Sequence, residues 1–167
     1  MALPVPAQTR ATATPLHLFN TAGPEDAART LLTCLHSTRW ARRLAAHRPY
    51  PDAPALLAAA DEAAYDLTPD DLAEALAAES LPDLPAGTYA AAGTALRAAH
   101  AAYESRFGHV FVICLDGIPA AEALDRTLEG IRSRLANDPE EERAVTAEEL
   151  RRLAGQRLRH ALRGAGR

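Results

Sequence analysis

The spacing of apolar residues along the chain predicts helices almost throughout. Apolar side chains recur at three- and four-residue intervals, the spacing that places them on one face of a helix. The stretch Thr68-Pro69-Asp70-Asp71 adds a strong start signal, because it combines an N-cap, a proline in the first turn and acids that favour a helix N-terminus. The predicted helices cover residues 24–34, 38–46, 55–65, 69–79, 88–107, 119–135 and 137–162.

One apolar stretch does not follow this pattern. HVFVICLDG, residues 109–117, is β-like, but it is short and no partner strand is evident elsewhere. We therefore expect an extended, buried connector near 109–115. The sequence predicts an all-α fold, a single-domain bundle of about seven to eight helices over residues 18–163. Residues 1–17 are expected to be a disordered N-terminal tail, and residues 164–167 a frayed end.

Composition restricts the partners of this bundle. The chain has 167 residues, 48% of them hydrophobic, which is enough for one domain with a substantial core. Its net charge of −4, with cations spread along the chain, argues against nucleic acid. No apolar run reaches the roughly 18 residues of a membrane span. Two cysteines without a disulfide framework, and no secretory leader, indicate a cytoplasmic protein.

Several kinds of chemistry lack the residues they need. All 18 side chains counted as Lys or Arg are arginines, so a Schiff-base lysine, a pyridoxal-phosphate anchor and a Walker-type loop are excluded. The six histidines show no HExxH spacing and neither cysteine forms a CxxC pair, so no metal site is expected. Cys34 and Cys114 are expected in the core, and the acidic run at 140–143 at a solvated helix start.

Three ionisable residues fall on the apolar faces of separate predicted helices: Glu79, His100 and Arg157. Each has an ordinary explanation, since a helix-end glutamate turns to water, a core histidine finds a hydrogen bond and an arginine extends to solvent. Together they favour a polar pocket within the bundle. An arginine that stays buried there needs an anion.

Sequence motifs then suggest a family. Phe19-Asn20 precedes a Cys-x-x-Ser-x-x-Trp spacing that ends at Trp40, and Arg48-Pro49-Tyr50 follows. Residues 103–111 read Tyr-x-x-Arg-Phe-Gly-x-x-Phe, and residues 134–162 are similar to a C-terminal helix with the pattern Arg-Leu-x-Asn, then Glu, then Arg-Leu-x-x-Leu. In this order and spacing the chain resembles the 2-oxo-4-hydroxy-4-carboxy-5-ureidoimidazoline (OHCU) decarboxylases over about residues 18–163.

The resemblance implies an all-α, usually dimeric enzyme that needs no cofactor. The family releases CO2 from a hydroxylated imidazoline carbon in the last step from urate to (S)-allantoin. Arg157 would hold the substrate carboxylate, and backbone N–H groups between Phe111 and Ile113 would hold the ring. The substrate-binding residues implied in this way are Arg157, Phe107, Gly108, Phe111, Val112, Ile113 and Trp40.

The chain departs from the family at the catalytic position. The family's histidine, which begins a His-Pro-Arg motif, aligns with Glu79, and the Glu-Gln pair expected before the long helix is absent. An acid that faces inward at a helix end is explained if it occupies a former catalytic position. Glu79, with His100 as a second group, would then handle protons.

Two functions stay open at this point. The first is a cofactor-independent decarboxylase-like enzyme that acts on a small heterocyclic carboxylate, with substrate or chemistry altered from the family's. The second is a non-catalytic homologue that binds a small molecule or a partner protein. A purely structural module gives no reason for Arg157 to lie on an apolar face. The expected partners are a small-molecule carboxylate and a second copy of the chain in a homodimer.

Overall fold

The computed structural model describes residues 13–164, which form eight α-helices and no strand. The all-α, single-domain prediction is confirmed. None of the described helices is both long and apolar enough to cross a membrane. In chain order the helices are α1 Pro15–Thr21, α2 Pro24–Leu32, α3 Thr38–Ala46, α4 Ala53–Tyr65, α5 Pro69–Ala78, α6 Thr88–Phe107, α7 Ala123–Arg134 and α8 Pro139–Leu162.

Five of the helices begin at a residue whose side chain accepts a hydrogen bond from the first turn. Thr68 and Asp138 also form capping boxes at α5 and α8, in which the third helical residue bonds back to the cap. These caps satisfy N–H groups that no helical carbonyl can reach. The five capping residues are Thr14, Ser37, Asp52, Thr68 and Asp138.

The chain becomes helical earlier than the sequence predicted. The predicted tail, 1–17, falls mostly outside the described residues, but Pro15 already begins α1 and Phe19 is buried. Thr14 and Pro15 are the same start signals that mark the later helices, and they were overlooked because α1 is short. The predicted frayed end also lies outside the described residues, except for Gly164.

Three predicted helices differ in detail. α6 is kinked at Gly93, whose φ of 49° and ψ of −122° are not helical. The segment predicted at 119–135 opens with a 3-10 turn, Ala120–Glu122, before α7 begins. α5 ends at Ala78, so Glu79 is an extended cap residue and does not lie in the last turn.

The main core lies between α2, α3, α4, α5 and the second half of α8. Leu150, Ala154 and Leu158, spaced by one turn on α8, are all buried in it. Trp40 is buried there too, and its indole N–H donates to the carbonyl of Ala60 at 3.0 Å. Because α8 is packed into this core, the residues around Arg157 on the same helix are held beside the ends of α2 and α5.

Candidate active site

A cavity of about 590 Å³ lies where the ends of α2 and α5 meet the C-terminal half of α8. The connector between α6 and α7 closes another side of it, through Phe111, Val112 and Ile113. Glu79 and Arg157 both line it, so two of the three ionisable residues singled out in the sequence come together. We call this space the α8 cavity.

Glu79 and Arg157 form a two-point ion pair in the α8 cavity. The Arg157 Nη1 and Nη2 atoms donate to Glu79 Oε1 and Oε2 at 2.7 and 3.0 Å, and Nη1 also donates to the Cys34 carbonyl at 3.2 Å. These hydrogen bonds to the Glu79 carboxylate raise the pKa of Arg157. The Arg157 side chain is 36% exposed and that of Glu79 is 9% exposed. The guanidinium is therefore neutralised yet still accessible from the cavity.

The connector presents backbone groups beside this pair. Arg134 Nη1 donates to the Val112 carbonyl at 2.6 Å, and the Cys114 N–H donates to Glu149 Oε2 at 2.6 Å. Among residues 13–164, no acceptor is found for the N–H groups of Phe111 and Ile113, nor for those of Val112 and Leu115 in the same lining. Buried backbone donors are almost always paired in folded proteins. Backbone donors on lining residues, among them Phe111 and Ile113, are therefore available to a ligand.

The structure does not bring His100 into the α8 cavity. Its ring packs against Phe111 and stacks on Tyr89, with centroid distances of 6.2 Å to each. Phe111 lines the cavity and His100 does not. Neither ring nitrogen has a hydrogen-bond partner within the described part of the chain, and burial lowers the pKa of the imidazole. His100 is thus a neutral side chain behind the cavity wall.

Three residues implied by the resemblance also lie away from the cavity lining. Trp40 is enclosed in the main core. Phe107 packs on the ring of Tyr103, at a centroid distance of 4.8 Å. Gly108 caps α6 with a φ of 80°, a left-handed conformation that glycine adopts without strain. The cap turns the chain from α6 into the connector, so Gly108 places the lining residues that follow it.

With this geometry established, a comparison with known families is decisive. The family model described as OHCU decarboxylase matches residues 20–159. The chain belongs to the OHCU decarboxylase family. A search of curated proteins found no match.

Two solved structures share the fold of this OHCU decarboxylase family member. A crystal structure of (S)-allantoin synthase is 18% identical, with a TM-score of 0.67 over 90% of this chain and 54% of that one. The chain thus spans about half the length of that synthase. A crystal structure of OHCU decarboxylase in the presence of (S)-allantoin is 20% identical, with a TM-score of 0.65 over 85% and 99% of the two chains.

The cavity of this family member also contains residues that the sequence analysis missed. Gln156 and His160 line it from α8, next to Arg157 and one turn after it. Gln156 Oε1 accepts a hydrogen bond from the Cys114 thiol at 3.6 Å. Cys34 lines the cavity, and burial raises the pKa of its thiol, which keeps it protonated. The helical spacing of Arg157 and His160 was the available signal.

A buried polar network behind the connector was missed as well. Glu142 was predicted in a solvated helix start, but it is 1% exposed and pairs with Arg134. Tyr103 donates to the same carboxylate, and Thr146 and Asn137 complete its hydrogen bonds. The prediction failed because two exposed acids, Glu140 and Glu141, directly precede the one that turns inward, and periodicity alone did not separate them.

Metal chemistry has no evident site in the described part of the chain. No group of three His, Cys, Asp or Glu side chains within residues 13–164 lies close enough to hold a metal ion. The α8 cavity instead offers arginines, carboxylates and free backbone donors, with the Arg157–Glu79 pair among them. Such a set can hold an anionic ligand, donate to a developing negative charge and move a proton.

Proposed function

We propose that this chain is a cofactor-independent decarboxylase-like enzyme that acts on a small heterocyclic carboxylate, with the α8 cavity as its active site. The observation that carries the proposal is the meeting of the Arg157–Glu79 pair and the free Phe111 and Ile113 donors in one cavity. Membership of a decarboxylase family supports it. The cytoplasmic location and the homodimer that the sequence suggests belong to this proposal.

Arg157 is the anchor for the substrate carboxylate in this mechanism. Its accessible face can receive a second carboxylate beside that of Glu79. Two carboxylates that share one site disfavour each other's ionised forms, so the arrival of the substrate favours a proton on Glu79. Glu79 would then be a proton donor at the moment when a carbanion-like product needs one.

The connector supplies electrostatic stabilisation. When the bond between the ring carbon and the carboxylate breaks, CO2 leaves and the electron pair stays on the ring. The N–H groups of Phe111 and Ile113 can donate to a ring oxygen or nitrogen on which this charge spreads. The proton from Glu79 then completes the product on one face of the ring carbon. Fixed donors are more effective in a cavity than in water, because they need no reorganisation.

The direct test is turnover of OHCU itself. The purified protein is mixed with OHCU, CO2 release is measured, and circular dichroism reports whether (S)-allantoin forms in excess. We expect release above the protein-free rate, and a loss of at least about 100-fold in Arg157→Gln. Arg143→Gln, an exposed arginine on the same helix, is the matched control and should keep full activity. Equal rates with and without protein would refute the proposal for this substrate.

A second candidate function has one observation in its favour. Arg157 already has both of its terminal nitrogens on Glu79, so its charge is satisfied without a ligand. A non-catalytic homologue that binds a neutral cyclic amide through the connector donors would show this arrangement. Binding of (S)-allantoin by calorimetry, together with no CO2 release from OHCU, would select this alternative.

A further inference from the structure

The connector, residues 109–115, contains no helix or strand and depends on side chains for its position. Arg134 of α7 holds the carbonyl of Val112, and Glu149 of α8 holds the N–H of Cys114, each at 2.6 Å. In an extended chain, alternate residues direct their peptide groups to the same side. Val112 and Cys114 are two positions apart, so Arg134 and Glu149 both bind the same edge of the connector.

The opposite edge then belongs to Phe111 and Ile113. Their N–H groups have no acceptor among residues 13–164, as is also true of that of Val112 on the anchored edge, and both residues line the α8 cavity. We propose that Arg134 and Glu149 are positioning residues, which fix the far edge of the connector so that the near edge presents its donors to the ligand. This inference rests on the proposed function for the identity of that ligand.

The two anchors are themselves well fixed. The Arg134 Nε atom donates to Glu142 at 2.7 Å and its Nη2 atom to Thr146 at 3.2 Å, and the side chain is 9% exposed. Glu149 uses its other oxygen to accept from Arg152 at 3.3 Å. Because each anchoring side chain is itself held by further hydrogen bonds, it limits the movement of the connector. Small displacements of the connector N–H groups would weaken ligand binding.

Glu149 allows a clean test because its two interactions can be removed separately. Glu149→Ala removes both, Arg152→Ala removes only the surface ion pair, and Glu149→Gln keeps an acceptor for the Cys114 N–H. Hydrogen exchange of the segment 109–115 is measured by mass spectrometry in the free protein. Affinity for (S)-allantoin is measured by calorimetry on the same samples.

We expect exchange of the segment to be about tenfold faster in Glu149→Ala, and allantoin affinity to be about tenfold weaker, which is the scale of one net hydrogen bond. Glu149→Gln and Arg152→Ala should match the wild type in both measurements. Arg134→Lys, which keeps a cation beside Glu142 but lacks the fork that reaches Val112, should resemble Glu149→Ala. Its melting temperature shows whether it folds.

The two proposals fail in different ways. If the wild type neither binds allantoin nor turns over OHCU, the proposed function is refuted for this substrate and product, while the exchange comparison still tests the anchors. If Glu149→Ala exchanges like the wild type, the positioning role is wrong whatever the ligand. An equal loss of affinity in Glu149→Ala and Arg152→Ala would also overturn it, because the surface ion pair would then account for the effect.

Discussion

Two arginine–glutamate pairs in this protein use the same chemistry in different surroundings. Arg134 and Glu142 are 9% and 1% exposed, and Tyr103, Thr146 and Asn137 surround the carboxylate with further hydrogen bonds. Arg157 and Glu79 are 36% and 9% exposed. Apart from the bonds that join the two side chains, their only side-chain hydrogen bond within residues 13–164 is that of Arg157 to the Cys34 carbonyl. The first pair is enclosed by protein, and we call it the sealed pair. The second faces the α8 cavity, and we call it the open pair.

The difference indicates a structural role for the Arg134–Glu142 pair and a ligand-binding role for the Arg157–Glu79 pair. Burial raises the pKa of Glu142, but hydrogen bonds from Arg134, Tyr103 and Asn137 outweigh it, and the net pKa lies below the ordinary value. Burial and the bond to Glu142 raise the pKa of Tyr103 to about 12, which keeps its hydroxyl a donor. Every member of this network is fixed by its partners. The Arg157–Glu79 pair has fewer partners, and under the proposed function a ligand replaces one of the two.

The largest expected effect is on the sealed pair. Glu142→Gln leaves the Arg134 charge buried without a counterion, so we expect the free energy of unfolding to fall by about 3–5 kcal/mol. Urea denaturation followed by circular dichroism measures it. Glu140→Gln, an exposed acid two residues earlier, should change the value by less than about 0.5 kcal/mol. Similar losses in both variants would show that the network contributes little.

The open pair should respond in activity and not in stability. Glu79→Gln removes the proposed proton donor, so kcat for OHCU should fall by about 100-fold or more. The same change frees Arg157 from its internal anion, so KM should fall as well, since a carboxylate substrate meets an uncompensated cation. The midpoint of urea denaturation should move little, because the pair faces the cavity. A kcat equal to that of the wild type would remove Glu79 from the mechanism.

The contrast between the two pairs also shows what sequence reasoning can reach. Helix spacing placed Glu79 and Arg157 on inward faces, because each stands alone among apolar neighbours. The same reasoning missed Glu142, which lies in an acidic run where the pattern carries no contrast, and it placed His100 in the pocket although Phe111 intervenes. Periodicity gives the face of a helix. Which element covers that face depends on tertiary packing.

The sealed network should also show a defined pH dependence, smaller in size. Asn137 donates to Glu142 Oε2 at 2.9 Å, a bond that favours the ionised carboxylate. Asn137→Ala should therefore lower the free energy of unfolding by about 1–2 kcal/mol at pH 7. Because Glu142 has a lowered pKa in the folded state, its stabilisation is present above the ordinary value of 4.5 and is lost as pH falls through the folded pKa. The stability lost in Asn137→Ala should thus shrink as pH falls from 4.5 through the folded pKa of Glu142, and a loss that stays constant over that range would contradict this assignment.

The smallest effect concerns His100, which belongs to neither pair. His100 is 7% exposed, and neither of its ring nitrogens has a partner among the described residues. His100→Phe should therefore raise the free energy of unfolding by about 1 kcal/mol, while the phenylalanine ring keeps the contacts with Tyr89 and Phe111. Burial lowers the pKa of His100 from 6.5, so the unfolded chain binds more protons and wild-type stability falls as pH drops below that value.

His100→Phe removes this titration, so its advantage over the wild type should grow between pH 7 and pH 5. His100→Asn, which keeps a polar group at the position, is the control and should bring no gain in stability. Thermal denaturation at the two pH values measures both. If the phenylalanine variant is less stable at each pH by the same amount, the imidazole nitrogens have partners in solution, and His100 is a satisfied polar group within the wall of the cavity.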